Sequence, residues 1–287
     1  MASRWGGRDA LNPMTQKSPK RSRRIAIAGL GAVGMAVVEA LEKGIPGCRL
    51  TAVSAADRAR AAQRLAHLRE PVDVVEIERL EALADIVVEC APSALLDDIC
   101  RPFLAAGKTA IVLSAGALLD HEDLIEIARE NGGQIIVPSG ALLGLDAVAA
   151  AAEGTIHSVR MVTRKPVGGL AGAPFFEKSN QTIQDITEPI LLFSGSPREA
   201  IKGFPANLNV SVALSLAGIG PDRTTLDIWA DPAIQRNMHR IDVDADSARF
   251  SMSIENIPTE NPKTGRITAL SVISCLRKMG APLRVGG

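Results

Sequence analysis

The sequence predicts an α/β chain: a doubly wound parallel sheet, followed by a second α+β domain with a mostly antiparallel sheet. Three observations predict it. Short apolar runs fit for buried strands alternate with helix-period segments up to residue 137. A turn of the form G-x-G-x-x-G joins the first such run to the first helix. Beyond residue 138 several strand-like segments follow one another without helices between them, which antiparallel pairing permits and parallel pairing does not.

Composition narrows the class. A chain of 287 residues buries roughly three quarters of its unfolded surface, enough for two medium domains. With 46% hydrophobic residues, 3% aromatic and no Tyr, the core is built from Ala, Val, Leu and Ile. No platform for stacking bases is offered, so nucleic-acid binding is disfavoured. Net charge is zero but unevenly spread: residues 1–24 hold seven basic side chains against Asp9, leaving 25 basic and 31 acidic of the 32 of each sign, net −6 on the body. Residues 1–23 read as a disordered basic tail with no apolar run fit for a signal peptide or a membrane span. A transit peptide, or a true start at Met14, is the alternative reading of that tail. Cys48, Cys90, Cys100 and Cys275 show neither C-x-x-C nor paired spacing. They read as core residues of a reduced, cytoplasmic protein, with no metal site.

The first element runs from Arg24 to Ala28, and apolar residues then recur at Val33, Val37 and Leu41 with the spacing of a helix face. Between them Gly29 permits the turn, Gly31 lets a pyrophosphate approach the backbone and Gly34 lets helix and strand pack closely. Ala32 and Val33 complete that turn, and the helix N-terminus offers free N–H groups to phosphate. This is the Rossmann-type signature, and it implies NAD or NADP. A second strand, Arg49 to Ala55, ends at Asp57 and Arg58. An acid there suits ribose hydroxyls and an Arg suits a 2′-phosphate, so the choice of cofactor stays open. A helix from Arg58 to Leu68, a weak strand from Val72 to Ile77 and a strand from Ala84 to Cys90 follow. The last stops at Ala91 and Pro92, on the edge of the expected cofactor crevice. A helix to Ala106, a strand from Thr109 to Leu113, a helix from Asp120 and a strand from Gln134 to Val137 complete a dinucleotide-binding domain over residues 24–137.

Residues 138–265 read as the substrate domain. A short Ala-rich helix leads to an alternating strand, Ser158 to Pro166, and a Gly/Pro-rich loop, Val167 to Pro174. Helices over Pro197–Phe204 and Ala206–Leu216 come next, then strands near Thr224–Trp229, Arg240–Val243 and Arg249–Ile254. A last helix, Arg266 to Met279 within residues 266–287, is expected to pack back on the first domain. Of the four histidines, His67, His121 and His157 read as solvated or capping side chains. His239 lies in a turn-rich polar segment, Ala230 to Ile241, where a loop residue can be aimed at a ligand. At an ordinary pKa of roughly 6.5 it exchanges a proton near neutrality.

At this point the residues carry a resemblance. From Arg24 onward the chain resembles the L-aspartate dehydrogenase family. The matching segments are the glycine turn, Val88-Glu89-Cys90-Ala91, Pro138-Ser139-Gly140-Ala141 with Gly144-Leu145-Asp146, Lys165-Pro166, Phe204 to Val210, Ala230-Asp231-Pro232 with Asn237 and His239, Glu255 to Pro258 and Asn261 to Thr264. Gly265 stands where the family usually has Ser, and the basic tail lies outside the pattern. The resemblance implies that His239 is the catalytic residue and that Ala141 and Asn209 touch the nicotinamide cofactor. It implies reversible oxidative deamination of L-aspartate to iminosuccinate, then oxaloacetate and ammonia, a possible feed for pyridine nucleotide biosynthesis, in a homodimer with no membrane partner. A dicarboxylate needs cations, and Lys165 and Lys263 are chosen from the basic residues near the expected site. Another two-domain reductase, similar to dihydrodipicolinate reductase or homoserine dehydrogenase, is the first alternative. A non-catalytic dinucleotide sensor is the second.

Overall fold

The computed structural model describes residues 22–179, 182–205, 208–258 and 265–286. The expected basic tail lies outside them up to residue 21, and Arg23 already belongs to the first strand.

The first half is a six-stranded sheet, every pair of neighbours parallel, ordered β3-β2-β1-β4-β5-β6. Its strands are β1 (Arg23–Ala28), β2 (Cys48–Ser54), β3 (Asp73–Val74), β4 (Ile86–Glu89), β5 (Thr109–Val112) and β6 (Gln134–Ile136). Helices α1 (Ala32–Lys43), α2 (Arg58–Leu65), α3 (Leu80–Leu83), α4 (Leu96–Ala105) and α5 (Asp123–Asn131) connect them. The strands are continuous apolar runs because both faces are covered: Ile25 and Ile27 join one core, Ala26 and Ala28 the other. Strand order reverses between β1 and β4, so a crevice opens beyond their carboxyl ends. The expected strand at Val72–Ile77 shrinks to two residues on the sheet edge, where only β2 pairs with it.

The second half begins with α6 (Leu145–Ala152), β7 (Ile156–Lys165), α7 (Pro174–Lys178), β8 (Ile190–Gly195), α8 (Pro197–Ala200) and α9 (Asn209–Ala217). It closes with β9 (Thr225–Ala230), β10 (Asn237–Ala245), β11 (Arg249–Asn256) and α10 (Arg266–Gly280). Its sheet runs β11-β10-β7-β9-β8, antiparallel except where β7 meets β9. Met161 and Val159 of β7 and Ile241 and Val243 of β10 face a core that includes Val148 of α6 and Val212 and Leu214 of α9. Strand β8 has no counterpart in the sequence reading, because Ile190-Leu191-Leu192-Phe193 is too short an apolar run to separate strand from helix. Helix α10 returns to the first sheet, where Val272 and Leu276 join the cluster of Val37, Val38 and Leu41 on α1. Among the described residues no helix is long and apolar enough to cross a membrane, and no cluster of His, Cys, Asp or Glu is fit to hold a metal ion.

Candidate active site

The glycine turn has the shape its spacing predicts. At Gly29 φ is +100°, a conformation side chains rarely adopt. A Cβ on Gly34 would lie 2.0 Å from the Gly29 carbonyl oxygen, so any side chain there would force helix from strand. A Cβ on Gly31 would meet nothing within 4 Å, so the backbone there is open to an incoming group. Gly31 begins α1 with no side-chain cap and no acid in the first turn, leaving the helix N–H groups for an anion. These features fit a dinucleotide pyrophosphate. The Gly29 N–H donates to Ser54 O at 2.8 Å and Arg64 donates to Leu30 O at 2.6 Å, fixing the turn against β2 and α2.

A cleft of about 220 Å³ lies where the carboxyl ends of β4, β5 and β6 face the second sheet. Val33 and Ala91 line it from the first half, Lys165, Asn237 and His239 from β7 and β10, and Ala141 and Asn209 stand between. Two of these are tied across the cleft. Asn209 Oδ1 accepts from the Gly116 N–H at 3.0 Å, and Ala141 O accepts from Asn256 Nδ2 at 2.8 Å.

His239 is a strand residue, which corrects the expectation of a loop. On β10 it pairs with Thr163 of β7 and Ile254 of β11 and is 3% exposed. The period-two alternation of His239, Ile241, Val243 and Ala245 with Arg240, Asp242 and Asp244 carries that signal in the sequence. The ring Nδ1 and the Thr163 hydroxyl are 2.8 Å apart. Burial, and then the positive charge of Lys165, push the His239 pKa down to about 3, so the ordinary value does not apply. Lys165, at the end of the same face of β7 as Thr163, is 5% exposed and lines the cleft.

The sequence reading assigned no role to Glu89. Its carboxylate is fully buried at the end of β4 and accepts from Ser114 N at 2.8 Å, Leu113 N at 3.1 Å and Ser114 Oγ at 3.0 Å. Desolvation raises its pKa, and these donors oppose the shift. By joining the ends of β4 and β5 it sets the floor of the cleft and, through the Ser114–Gly116 turn, the donor that holds Asn209. A charge inside the apolar strand Ile86-Val87-Val88-Glu89 was the available signal.

Other expected site residues lie farther out. Asp57 caps α2, its Oδ1 accepting from the Arg60 N–H at 2.9 Å, and Arg58 pairs with Glu76 at 3.1 Å. Both are exposed, and Asp57 lies three residues beyond Ser54, whose carbonyl accepts from Gly29 N–H. Pro92 is exposed beside Ala91 and is not among the residues lining the cleft. Lys263 lies outside the described residues.

Comparison with known proteins agrees with this division into halves. Residues 29–138 match the family model described as the NAD binding domain of homoserine dehydrogenase, and residues 146–279 match aspartate dehydrogenase, C-terminal. An L-aspartate dehydrogenase of Bradyrhizobium diazoefficiens is 60% identical over 95% of this chain and 97% of its own length. L-aspartate dehydrogenase 3 of Bordetella bronchiseptica is 57% identical over 94% of this chain and 99% of its own. Among solved structures, aspartate dehydrogenase from Thermotoga maritima shares the fold with a TM-score of 0.69 at 22% identity, covering 92% of this chain and 99% of that one. The model that the first half matches carries another dehydrogenase's name; the second half and the full-length identities decide, and the chain belongs to the L-aspartate dehydrogenase family.

Proposed function

We propose that the cleft carries out reversible NAD(P)-dependent oxidative deamination of L-aspartate, with His239 as the residue that moves protons. The observation that carries this reading is that His239 and Lys165, from the second sheet, line one cleft with Val33, which follows the open Gly31 of the glycine turn, in a chain that belongs to this family. When bound, the nicotinamide cofactor supplies the redox step by accepting hydride from the substrate Cα. The protein orients Cα and transfers protons on and off nitrogen and water.

In this reading the Gly29, Gly31, Ala32, Val33 and Gly34 turn holds the pyrophosphate, and Ala91, Pro92, Ala141 and Asn209 flank the rest of the cofactor. Lys165 provides the buried cation that a carboxylate of aspartate requires, and Lys263 is assigned to the other. The mechanism takes the tautomer in which His239 Nδ1–H donates to the Thr163 hydroxyl 2.8 Å away, leaving Nε2 as the acceptor for the proton released as the amine becomes an imine and water adds. Because the Thr163 hydroxyl turns either way, the pair serves both tautomers. The product iminosuccinate hydrolyses to oxaloacetate and ammonia. We read the chain as a cytoplasmic homodimer whose ligands are small molecules, with neither nucleic acid nor membrane as partner.

The test is absorbance at the reduced-nicotinamide band with L-aspartate, D-aspartate, glutamate and alanine, each with NAD and NADP. Turnover is expected with L-aspartate. Turnover with another substrate of the panel and none with L-aspartate overturns the assignment.

Asp57 decides cofactor preference in this reading, because its second carboxylate oxygen is left for the ribose hydroxyls while Arg58 meets a 2′-phosphate. Asp57→Ala is expected to lower the ratio of kcat/KM for NAD to that for NADP, with loss of the α2 cap costing about 1 kcal/mol of stability. An unchanged ratio would leave Asp57 as a helix cap only.

A further inference from the structure

Among the described residues one buried side-chain polar atom has no hydrogen-bond partner, and it lies next to the cleft. It is Oδ1 of Asn256, the last residue of β11, which is 3% exposed. A buried acceptor left unmade is costly, so its retention calls for a physical reason. The orientation of the amide is set by its other end: Nδ2 donates to the Ala141 carbonyl at 2.8 Å, and a flipped amide would set oxygen against oxygen.

The Ala141 carbonyl belongs to the turn that leaves the first sheet after β6. That turn is closed by Leu142 N–H donating to Ser139 O at 3.0 Å and holds Gly140 at φ +62°. Two side chains from the C-terminal segments tie it down. One is Asn256; the other is Ser271 of α10, whose Oγ accepts from the Gly140 N–H at 3.1 Å. Ser139, Gly140 and Ala141 all line the cleft. On the far side of Asn256 sits Gly265, whose Cβ position would be 3.3 Å from both Oδ1 and Cβ of Asn256. A hydroxyl one bond beyond that Cβ comes within reach of Oδ1, and φ −76° with ψ 147° is open to any residue, with Asn256 having to give by a few tenths of an ångström. With glycine at 265, no side chain there offers Oδ1 a donor.

We propose that Asn256 is a positioning residue for the cofactor: it holds the Ala141 turn in place from the second sheet, and the missing side chain at 265 leaves that hold weaker than the fold permits. The proposal rests on the reading that the Ser139–Ala141 turn faces bound cofactor.

The experiment is equilibrium binding of NADH, followed by fluorescence, to wild type, Asn256→Ala, Gly265→Ser, Gly265→Ala and the double variant Asn256→Ala with Gly265→Ser. Asn256→Ala is expected to weaken binding about tenfold, since it removes one of two ties and leaves the Ala141 carbonyl unpaired. Gly265→Ser is expected to tighten binding by about two- to fivefold, and Gly265→Ala, which adds crowding without a donor, is not. A serine at 265 would also cap α10, a benefit independent of Asn256. The informative quantity is therefore coupling: the tightening should vanish when Asn256 is alanine.

Wild-type affinity in Asn256→Ala, or equal tightening by Gly265→Ser in both backgrounds, overturns the proposal. Should Asn256→Ala fail to fold, Gly265→Ser against Gly265→Ala decides, and equal affinities overturn it. If wild type itself binds no NADH or NADPH, the cofactor reading fails and the proposal with it; wild-type binding left unmoved by these variants removes the proposal alone.

Discussion

Gly31→Val is expected to lower affinity for NAD and NADP by about two orders of magnitude or more while the thermal midpoint stays near that of wild type. The two halves of this expectation come from different observations. Gly31 has φ −70° and ψ −164°, which valine adopts without strain, and no atom lies within 4 Å of the position its Cβ would take. The fold is therefore expected to tolerate the change. In the proposed reading that same open space admits the pyrophosphate to the uncapped start of α1, and a blocked approach forfeits several charge-assisted hydrogen bonds of roughly 1.5–3 kcal/mol each. Gly34 is the wrong residue for this test, because its Cβ would collide with the Gly29 carbonyl at 2.0 Å and confound folding with binding. Titration of folded Gly31→Val with reduced cofactor is the measurement. Wild-type affinity there means that the phosphates lie elsewhere.

The contrast between these glycines shows what in the chain was legible. Spacing within a turn is local, so the need for glycine at positions 29 and 34 follows from sequence and reappears in the φ of +100° at Gly29 and the close approach of Gly34 to the Gly29 carbonyl. Strands buried on both faces were legible for a similar reason, since continuous apolar runs leave few other choices. The second sheet was harder. Its residues are buried on one face, so the signal is alternation, and in β10 a histidine sits at the first inward position, where polarity masks the pattern. Reading Ala230 to Ile241 as a loop followed from that. Glu89 and Asn256 were missed because their partners are distant in sequence: Ser114 lies 25 positions from Glu89, and Ala141 lies 115 from Asn256. No short-range pattern encodes such a bond. Only the doubly wound topology, which gathers the carboxyl ends of β4, β5 and β6 against the second sheet, brings them together.

His239→Ala is expected to lower kcat by roughly two to four orders of magnitude, the usual contribution of one general acid/base, with NADH affinity close to that of wild type. His239→Asn keeps polarity and approximate size but cannot titrate, so it should be almost as impaired. The structure also fixes the pH behaviour. Oxidative deamination needs the ring neutral, so the rate rises with pH through its pKa. In the free enzyme burial and Lys165 hold that pKa at about 3, so kcat/KM should show no His239 limb between about pH 5 and 8. Burial, the larger cause, stays in the complex, but a carboxylate of aspartate beside Lys165 would offset the smaller one, so the pKa is expected to lie higher there than in the free enzyme. The limb in kcat should therefore lie at higher pH than the limb in kcat/KM, and it should vanish in His239→Asn. If His239→Ala instead raises only the KM for aspartate and keeps both kcat and the limb, His239 binds substrate without moving protons. Lys165, on the same cleft wall, is then the residue to substitute next.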